Sequence, residues 1–184
     1  MSDVVVTDIR FDCAWNIRGN PVDAAFVAAV TGVTGLQVPV QANGSAVRGD
    51  RRPDDSGRPA TRIDDALLWL GPSSWLFVRS AGLRADDFDA ARNAVNAAGG
   101  ALFDVSSSYV GWLVCGGNAA RLLNRGCPLD FDSRVFPPGH CAQSLLGHIA
   151  ALFYRPDASP AYIVMVARSF AADAGHALRA WNSG

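Results

Sequence analysis

The sequence predicts an α+β fold, with mostly antiparallel sheets and helices on one face. Short apolar segments with strand-like patterning dominate, and they give the order β-α-β-β-α-β-β-α-β-β-β-α. Many neighbouring segments are joined by links of hairpin length, as at 71–74 and 155–160. A doubly wound parallel sheet would need a strict alternation of strand and helix instead.

The first elements are an extended segment and a helix. Residues 4–18 are predicted to be extended, because Val4, Val5 and Val6 are followed by alternating apolar and polar side chains. Asn20 and Pro21 are expected to open the first helix, with Asn as the cap and Pro in the first turn. The apolar face predicted for this helix consists of Val22, Phe26, Val30 and Val33.

The segment 42–62 is predicted to be a flexible loop. It holds five Arg and three Asp together with Gly, Ser and Pro, and almost nothing apolar. Strands at 66–70 and 75–78 follow it on either side of a Gly-Pro-Ser-Ser turn. A helix over 84–98 comes next, and the residues of its inner stripe are Phe88, Ala91, Val95 and Ala98.

The second half of the chain is expected to contain more strands than helices. The predicted strands are 101–105, 108–115, 141–147, 148–154 and 161–167, and the predicted helices are 118–124 and 170–181. Ser169 is expected to cap the last helix. One face of this last helix is predicted to consist of Phe170, Ala174, Ala177 and Trp181.

Length and charge limit the function. A chain of 184 residues is most simply a single domain, 1–184, interrupted by the loop at about 42–62.

All 16 basic residues are Arg and all 17 acidic residues are Asp, so Schiff-base lysine chemistry, a P-loop and an H-E-x-x-H metal helix are excluded. The net charge of −1 predicts no nucleic-acid partner and no membrane surface.

The cysteines and the N-terminus favour a cytoplasmic protein. No basic n-region opens the chain and no apolar run reaches membrane-spanning length, so the thiols are expected to be reduced. Cys127, His140, Cys141 and His148 match no zinc spacing, and no metal site is expected.

Three local patterns are candidate binding sites, each with a purely structural alternative. Asp104, followed by serines at 106–108, either presents an acid at a cleft or caps its own turn. Gly116 and Gly117 either cradle an anion or make a tight turn before the helix. Arg168 pairs either with a ligand carboxylate or with an Asp of the chain.

Four motifs occur in the order of a known family. They are LGPSSWL at 70–76, RGCPLD at 125–130, FPPGHCAQ at 136–143 and RSFA at 168–171. Together they resemble the gamma subunit of heterotetrameric bacterial sarcosine oxidase, from about residue 10 to the end. The resemblance implies an aminomethyltransferase/folate-binding domain fold. It also implies alpha, beta and delta subunits as partners, which would carry FAD, FMN, NAD, tetrahydrofolate and zinc.

The resemblance implies a non-catalytic subunit of an enzyme that oxidatively demethylates sarcosine. The segment 103–111 resembles a D-V-S segment of the aminomethyltransferases. Those enzymes use an Asp in a later hairpin, and the matching stretch 145–152 has no carboxylate. No catalytic residue is therefore expected. The alternatives are a vestigial folate-binding protein with Asp104, Tyr109 and Arg168 as its polar groups, a methyltransferase-like enzyme, or the same subunit role in a related N-methyl amino-acid oxidase.

Overall fold

A computed structural model describes residues 3–48, 65–79 and 85–183 of the chain. The strands are β1 Val5–Ile9, β2 Cys13–Arg18, β3 Ser45–Val47, β4 Ala66–Gly71, β5 Ser74–Arg79, β6 Ala101–Asp104, β7 Tyr109–Cys115, β8 Cys141–Leu146, β9 Ile149–Tyr154 and β10 Ala161–Ala167. The helices are α1 Ala24–Thr34, α2 Ala85–Ala97, α3 Ala119–Leu123 and α4 Ala171–Ser183. None of the helices described is long and apolar enough to cross a membrane.

The described residues form two compact units. The first unit holds 3–10 and 108–183, and the second holds 11–48, 65–79 and 85–107. Each unit contains one five-stranded sheet, and every pair of neighbouring strands is antiparallel. This confirms the predicted fold class. The strand order is β1-β7-β10-β9-β8 in the first unit and β3-β4-β5-β2-β6 in the second.

The core of the first unit joins the sheet to α3 and α4. Four aromatic rings lie at its centre, and Phe131 contacts the other three with ring centroids 5.1–5.4 Å apart. Those three are Phe136, Phe153 and Tyr162. Ala119, Leu122 and Leu123 of α3, with Ala174 and Leu178 of α4, complete the same apolar cluster. Burial of these side chains is the main stabilising contribution to the unit.

The core of the second unit places α1 and α2 on one face of its sheet. The cluster contains Trp15 of β2, Phe77 of β5, Phe26 of α1 and Val95 of α2. The rings of Trp15 and Phe77 are 5.5 Å apart. The predicted faces of both helices are therefore largely confirmed, because Phe26, Val30, Ala91 and Val95 are all buried.

The extended segment predicted at 4–18 is two strands that belong to different sheets. Strand β1 pairs with β7, whereas β2 pairs with β5 and β6. Alternation of apolar residues shows that a segment is extended, but it carries no information on which strand lies beside it. The prediction of a single extended stretch was therefore wrong at 10–12.

Helix α1 begins later than predicted. Its N-cap is Asp23, whose Oδ1 accepts hydrogen bonds from the backbone nitrogens of Ala25 at 2.8 Å and Phe26 at 3.4 Å. Asn20 makes a separate turn, in which its Oδ1 accepts from the nitrogen of Val22. Val22 is consequently 87% exposed and does not belong to the apolar face.

Three further predictions need correction. Residues 45–47, placed in a loop by the sequence, form β3 and pair with β4; the rest of the predicted loop from 49 onward lies outside the described residues. Ser169 lies within a 3-10 turn over Arg168–Phe170 and not at a helix cap. Phe170 is 43% exposed, while Leu178, absent from the predicted stripe, is fully buried.

Candidate functional site

Asp104 caps its own turn at the end of β6. Its Oδ1 accepts hydrogen bonds from the backbone nitrogen of Ser106 at 2.9 Å and from the Ser106 hydroxyl at 2.5 Å. The same hydroxyl oxygen accepts from the nitrogen of Ala14 on β2 at 2.9 Å. The sequence allowed two interpretations of this Asp–Ser pattern, an acid at a cleft or a capped turn, and the geometry is that of a capped turn.

Tyr109 and Arg168 lie together in the first unit. Tyr109 starts β7 and is paired with Ala167 at the end of β10, one residue before Arg168. Arg168 Nη2 donates to the backbone oxygen of Tyr109 at 3.2 Å. Burial raises the pKa of the Tyr109 phenol, so its hydroxyl stays protonated at neutral pH. Asp104 belongs to the second unit.

The Gly-Gly turn before α3 holds a carboxylate of the chain itself. Asp3 Oδ1 accepts from Asn118 Nδ2 at 2.9 Å, and the backbone nitrogens of Gly117 and Asn118 also bond this carboxyl group. These hydrogen bonds, the Asn118 side chain first, lower the pKa of Asp3. A Cβ at Gly116 would lie 2.2 Å from the Asp3 backbone oxygen, so the close approach needs glycine there. The anion that this turn binds is therefore internal.

The RGCPLD motif packs against the last helix. A Cβ at Gly126 would lie 1.9 Å from the Trp181 ring, so a side chain at this position would force that ring to move. Arg125 Nη1 donates to the backbone oxygen of Trp181 at 2.5 Å. The Gly126 oxygen accepts from the nitrogen of Gly147 in the β8–β9 turn at 2.6 Å. This motif has a structural explanation within the first unit.

The FPPGHCAQ motif surrounds a buried arginine that sequence analysis did not single out. Arg155 is 5% exposed, and its Nη1 donates to the backbone oxygen of Phe136 at 2.9 Å. The guanidinium carbon lies 5.6 Å from the centre of the Tyr162 ring, a cation–π contact. Tyr162 donates from its hydroxyl to the backbone oxygen of Phe131 at 2.8 Å. The two buried polar side chains thus hold the backbone of the 131–136 stretch.

The LGPSSWL motif closes the β4–β5 hairpin. Trp75 is fully buried, with its ring 5.7 Å from Phe26, and its Nε1 donates to the backbone oxygen of Pro39 at 2.8 Å. Pro72 and Ser73 at the turn are exposed. The tryptophan of the motif therefore stabilises the second unit and is not available to a partner.

The β8–β9 hairpin ends in a two-residue turn, Gly147 and His148, and its strands contain no carboxylate. Cys127 and Cys141 are buried thiols, and the His140 ring meets Phe136 edge-on at 6.0 Å. No group of three or more His, Cys, Asp or Glu side chains that could hold a metal ion occurs in the described part of the chain.

Sequence analysis missed two polar residues of this region. Arg155 follows an apolar strand and precedes a proline-rich turn, a position where a charged residue is usually solvated. Asp3 is 115 residues from Asn118, and no local pattern joins them. The Gly-Gly pair was the one signal, because anion binding was one of the two interpretations it allowed.

The protein belongs to the α+β class, with two antiparallel sheets that each have their own helices. No model of a protein family matches the chain, and no curated protein sequence matches it. Heterotetrameric sarcosine oxidase from Corynebacterium sp. U-96, solved in complex with pyrrole 2-carboxylate, contains a chain with the same fold. The TM-score is 0.80 and the identity 23%, over 98% of this chain and 84% of that chain.

Glycine cleavage system aminomethyltransferase T from Bartonella henselae is also similar, with a TM-score of 0.65 and 12% identity. The match covers 96% of this chain and 45% of that one, so this chain spans less than half of the aminomethyltransferase. At these identities the likeness shows the fold. The resemblance inferred from the four motifs is thus shown at the level of the fold, which is that of the sarcosine oxidase and aminomethyltransferase structures.

Proposed function

We propose that this chain is a non-catalytic structural subunit, of the gamma type, in a sarcosine oxidase complex. The observation that carries the proposal is the fold match to a chain of heterotetrameric sarcosine oxidase, over 98% of this chain and 84% of that one. The four motifs support it, because they occur in the order typical of the gamma subunit.

The complex would oxidatively demethylate sarcosine to glycine, with formaldehyde or methylene-tetrahydrofolate and hydrogen peroxide as the other products. FAD, FMN, NAD, tetrahydrofolate and zinc would be bound by the alpha, beta and delta subunits, in the cytoplasm. The hydrogen bonds of polar groups in this chain support the assignment of the cofactors to the other subunits. Asp104 is bonded to Ser106, and Arg168 to the backbone of Tyr109. In the related enzymes an Asp of the later hairpin is functional, and here that hairpin has no carboxylate.

The experiment is reconstitution with defined partners. The tagged full chain would be co-expressed with the alpha, beta and delta subunits encoded in the same genome, and the eluted complex examined for flavin absorbance and sarcosine-dependent peroxide formation. We expect the chain to co-elute with flavin and to have no turnover alone. A stable chain that never joins a flavoprotein complex contradicts the proposal.

A vestigial folate-binding protein is the second candidate, favoured by the similarity to aminomethyltransferase T. Its polar groups would include Tyr109 and Arg168, which lie together in the first unit. Titration of the isolated chain with tetrahydrofolate discriminates, because saturable micromolar binding that is lost in Arg168→Ala favours this candidate. Turnover by the isolated chain would instead favour a methyltransferase-like enzyme.

A further alternative is that this chain has the same subunit role in a related N-methyl amino-acid oxidase. Substrate choice would then lie in a partner, so the reconstituted complex, and not this chain, is the preparation to assay. Comparison of sarcosine with larger N-methyl amino acids in the peroxide assay distinguishes the two. A clear preference for a larger substrate would support the related oxidase.

A further inference from the structure

The segment 124–139 joins α3 to β8 through turns alone, with neither helix nor strand. Segments of this length without regular structure are uncommon in compact domains, and ordered ones usually have a function. The part of interest is the tip, defined here as residues 130–136.

Both ends of the tip are anchored in the core of the first unit. Phe131 is fully buried and Phe136 is 4% exposed. The backbone oxygen of Phe131 accepts from the Tyr162 hydroxyl at 2.8 Å, and that of Phe136 accepts from Arg155 Nη1 at 2.9 Å. Aromatic burial and buried hydrogen bonds therefore fix the two ends.

The middle of the tip is fixed by its own hydrogen bonds. Asp132 accepts from Arg134 Nε at 2.9 Å and from Arg134 Nη2 at 3.0 Å, a bidentate pair. The backbone oxygen of Asp132 accepts from the nitrogens of Val135 at 2.9 Å and Phe136 at 2.8 Å. A segment ordered before binding loses less conformational entropy when a partner contacts it.

This ordered tip presents an apolar side chain to solvent. Val135 is 59% exposed between two anchored aromatic residues. Exposed apolar residues are common on proteins, and this one is held on a segment whose ends and middle are fixed by hydrogen bonds.

The charge of the tip favours a different chain over a second copy as the occupant. The tip contains two Asp and one Arg, a formal charge of −1. Arg134 is engaged by Asp132, which leaves the exposed carboxylate of Asp130 as the net charge. A two-fold contact between copies would bring like charges together, and such a contact is unfavourable.

We propose that the tip, with Val135 held between the anchored Phe131 and Phe136, docks onto a partner subunit that presents an apolar socket with Arg or Lys at its rim. The inference rests on the proposed function and adds to it the surface of contact. Val135 fills the socket, and Asp130 faces the basic rim.

The test compares single variants of the full chain in binding to the purified alpha, beta and delta subunits. Val135→Asp places a charge in the socket and is expected to raise Kd on the order of 10- to 30-fold or more. Val22→Asp, at an exposed position of the second unit, is the matched control and is expected to change Kd less than about 2-fold. Asp130→Asn keeps the side-chain oxygen that accepts from the Asp132 nitrogen at 2.9 Å, and is expected to slow association and reduce its salt dependence.

The affinities of the variants show whether the tip is the docking surface. Loss of affinity in Val135→Asp with a normal Val22→Asp supports the tip as the docking surface. Wild-type affinity in Val135→Asp overturns it and leaves the proposed function intact, whereas wild-type chain that binds no subunit overturns both. A wild-type dimer that Val135→Asp dissociates would show that a second copy occupies the tip, and would also overturn the proposal. Circular dichroism of each variant establishes that its fold is unchanged.

Discussion

At the scale of single residues, two polar groups of the first unit are held by other atoms of the chain. Asp3 is held by Asn118 and the turn before it, and Arg155 by the backbone of Phe136. A buried arginine bonded to a carbonyl oxygen fixes the backbone of an irregular segment, because the guanidinium stays charged and its N–H groups need acceptors. Groups of this kind are structural unless a ligand displaces their partners.

The Asp3 carboxylate gives a pH prediction. Its pKa in the folded chain is lowered, chiefly by the Asn118 side chain. A lowered folded pKa means that the unfolded chain binds more protons, so stability from this contact is complete above the ordinary Asp value and is lost as pH falls through the folded value. We expect Asn118→Ala to raise the Asp3 pKa.

Carboxyl carbon shifts in an NMR titration provide the measurement. Asn93→Ala, on the exposed side of α2, is the control and is expected to leave the titration of Asp3 unchanged. An unchanged Asp3 titration in Asn118→Ala would contradict the contact.

At the scale of elements, the packing of α4 against the segment after α3 depends on one glycine. Gly126 leaves room for the Trp181 ring, and Arg125 donates to the end of the same helix. Gly32, in contrast, is exposed within α1, and a Cβ there meets nothing within 4 Å. The two glycines therefore predict opposite responses to the same substitution.

We expect Gly126→Ala to destabilise the chain by about 1–3 kcal/mol, because the new methyl group forces the Trp181 ring to move. Gly32→Ala is expected to stabilise it by about 0.5–1 kcal/mol, since alanine has the higher helix propensity. Urea unfolding of both variants measures the difference. Equal effects of the two substitutions would argue against the α4 contact.

At the scale of the whole molecule, the described chain consists of two units, each with its own sheet and apolar core. The motifs by which the chain resembles the gamma subunit lie at turns and reach into β4, β5, β8 and α4. Within the units these motifs have structural roles: Trp75 fills a core, and the FPPGHCAQ turn surrounds Arg155. Among the described residues, exposed ones near these motifs, such as Val135, are accessible to the partner proposed above.

Thiol reactivity tests the burial pattern across both units. Cys13, Cys127 and Cys141 are buried, and burial raises the pKa of Cys13 to about 12, whereas Cys115 is partly exposed. We expect one fast-reacting thiol in the native chain at pH 8, assigned to Cys115, because a reagent attacks an accessible thiolate. In denaturant all four should react.

Cys115→Ser is expected to remove the fast phase of labelling with a disulfide reagent, while Cys141→Ser leaves it in place. A fast phase that survives in Cys115→Ser would show that the burial of the other thiols is wrong.

Most elements follow from local patterns, and most site contacts do not. The short apolar runs of β4, β5, β7, β9 and β10 and the stripes of α1 and α2 were sufficient to locate these elements. The cap of α1 was misplaced because Asn20 and Asp23 are both good capping residues, and packing of Phe26 selects the second. The turn role of Asp104 was foreseen, because Asp and Ser two residues apart make that bond locally.

The sequence by itself determined the α+β class, the antiparallel links and the absence of lysine and glutamate chemistry, because these depend on composition and on spacings of a few residues. Only the tertiary structure decided that β1 and β2 belong to different sheets, that Asp3 is the anion of the Gly-Gly turn and that Arg155 is buried. Such contacts join residues far apart in the chain, and their free energy depends on burial and on partners that no local pattern specifies.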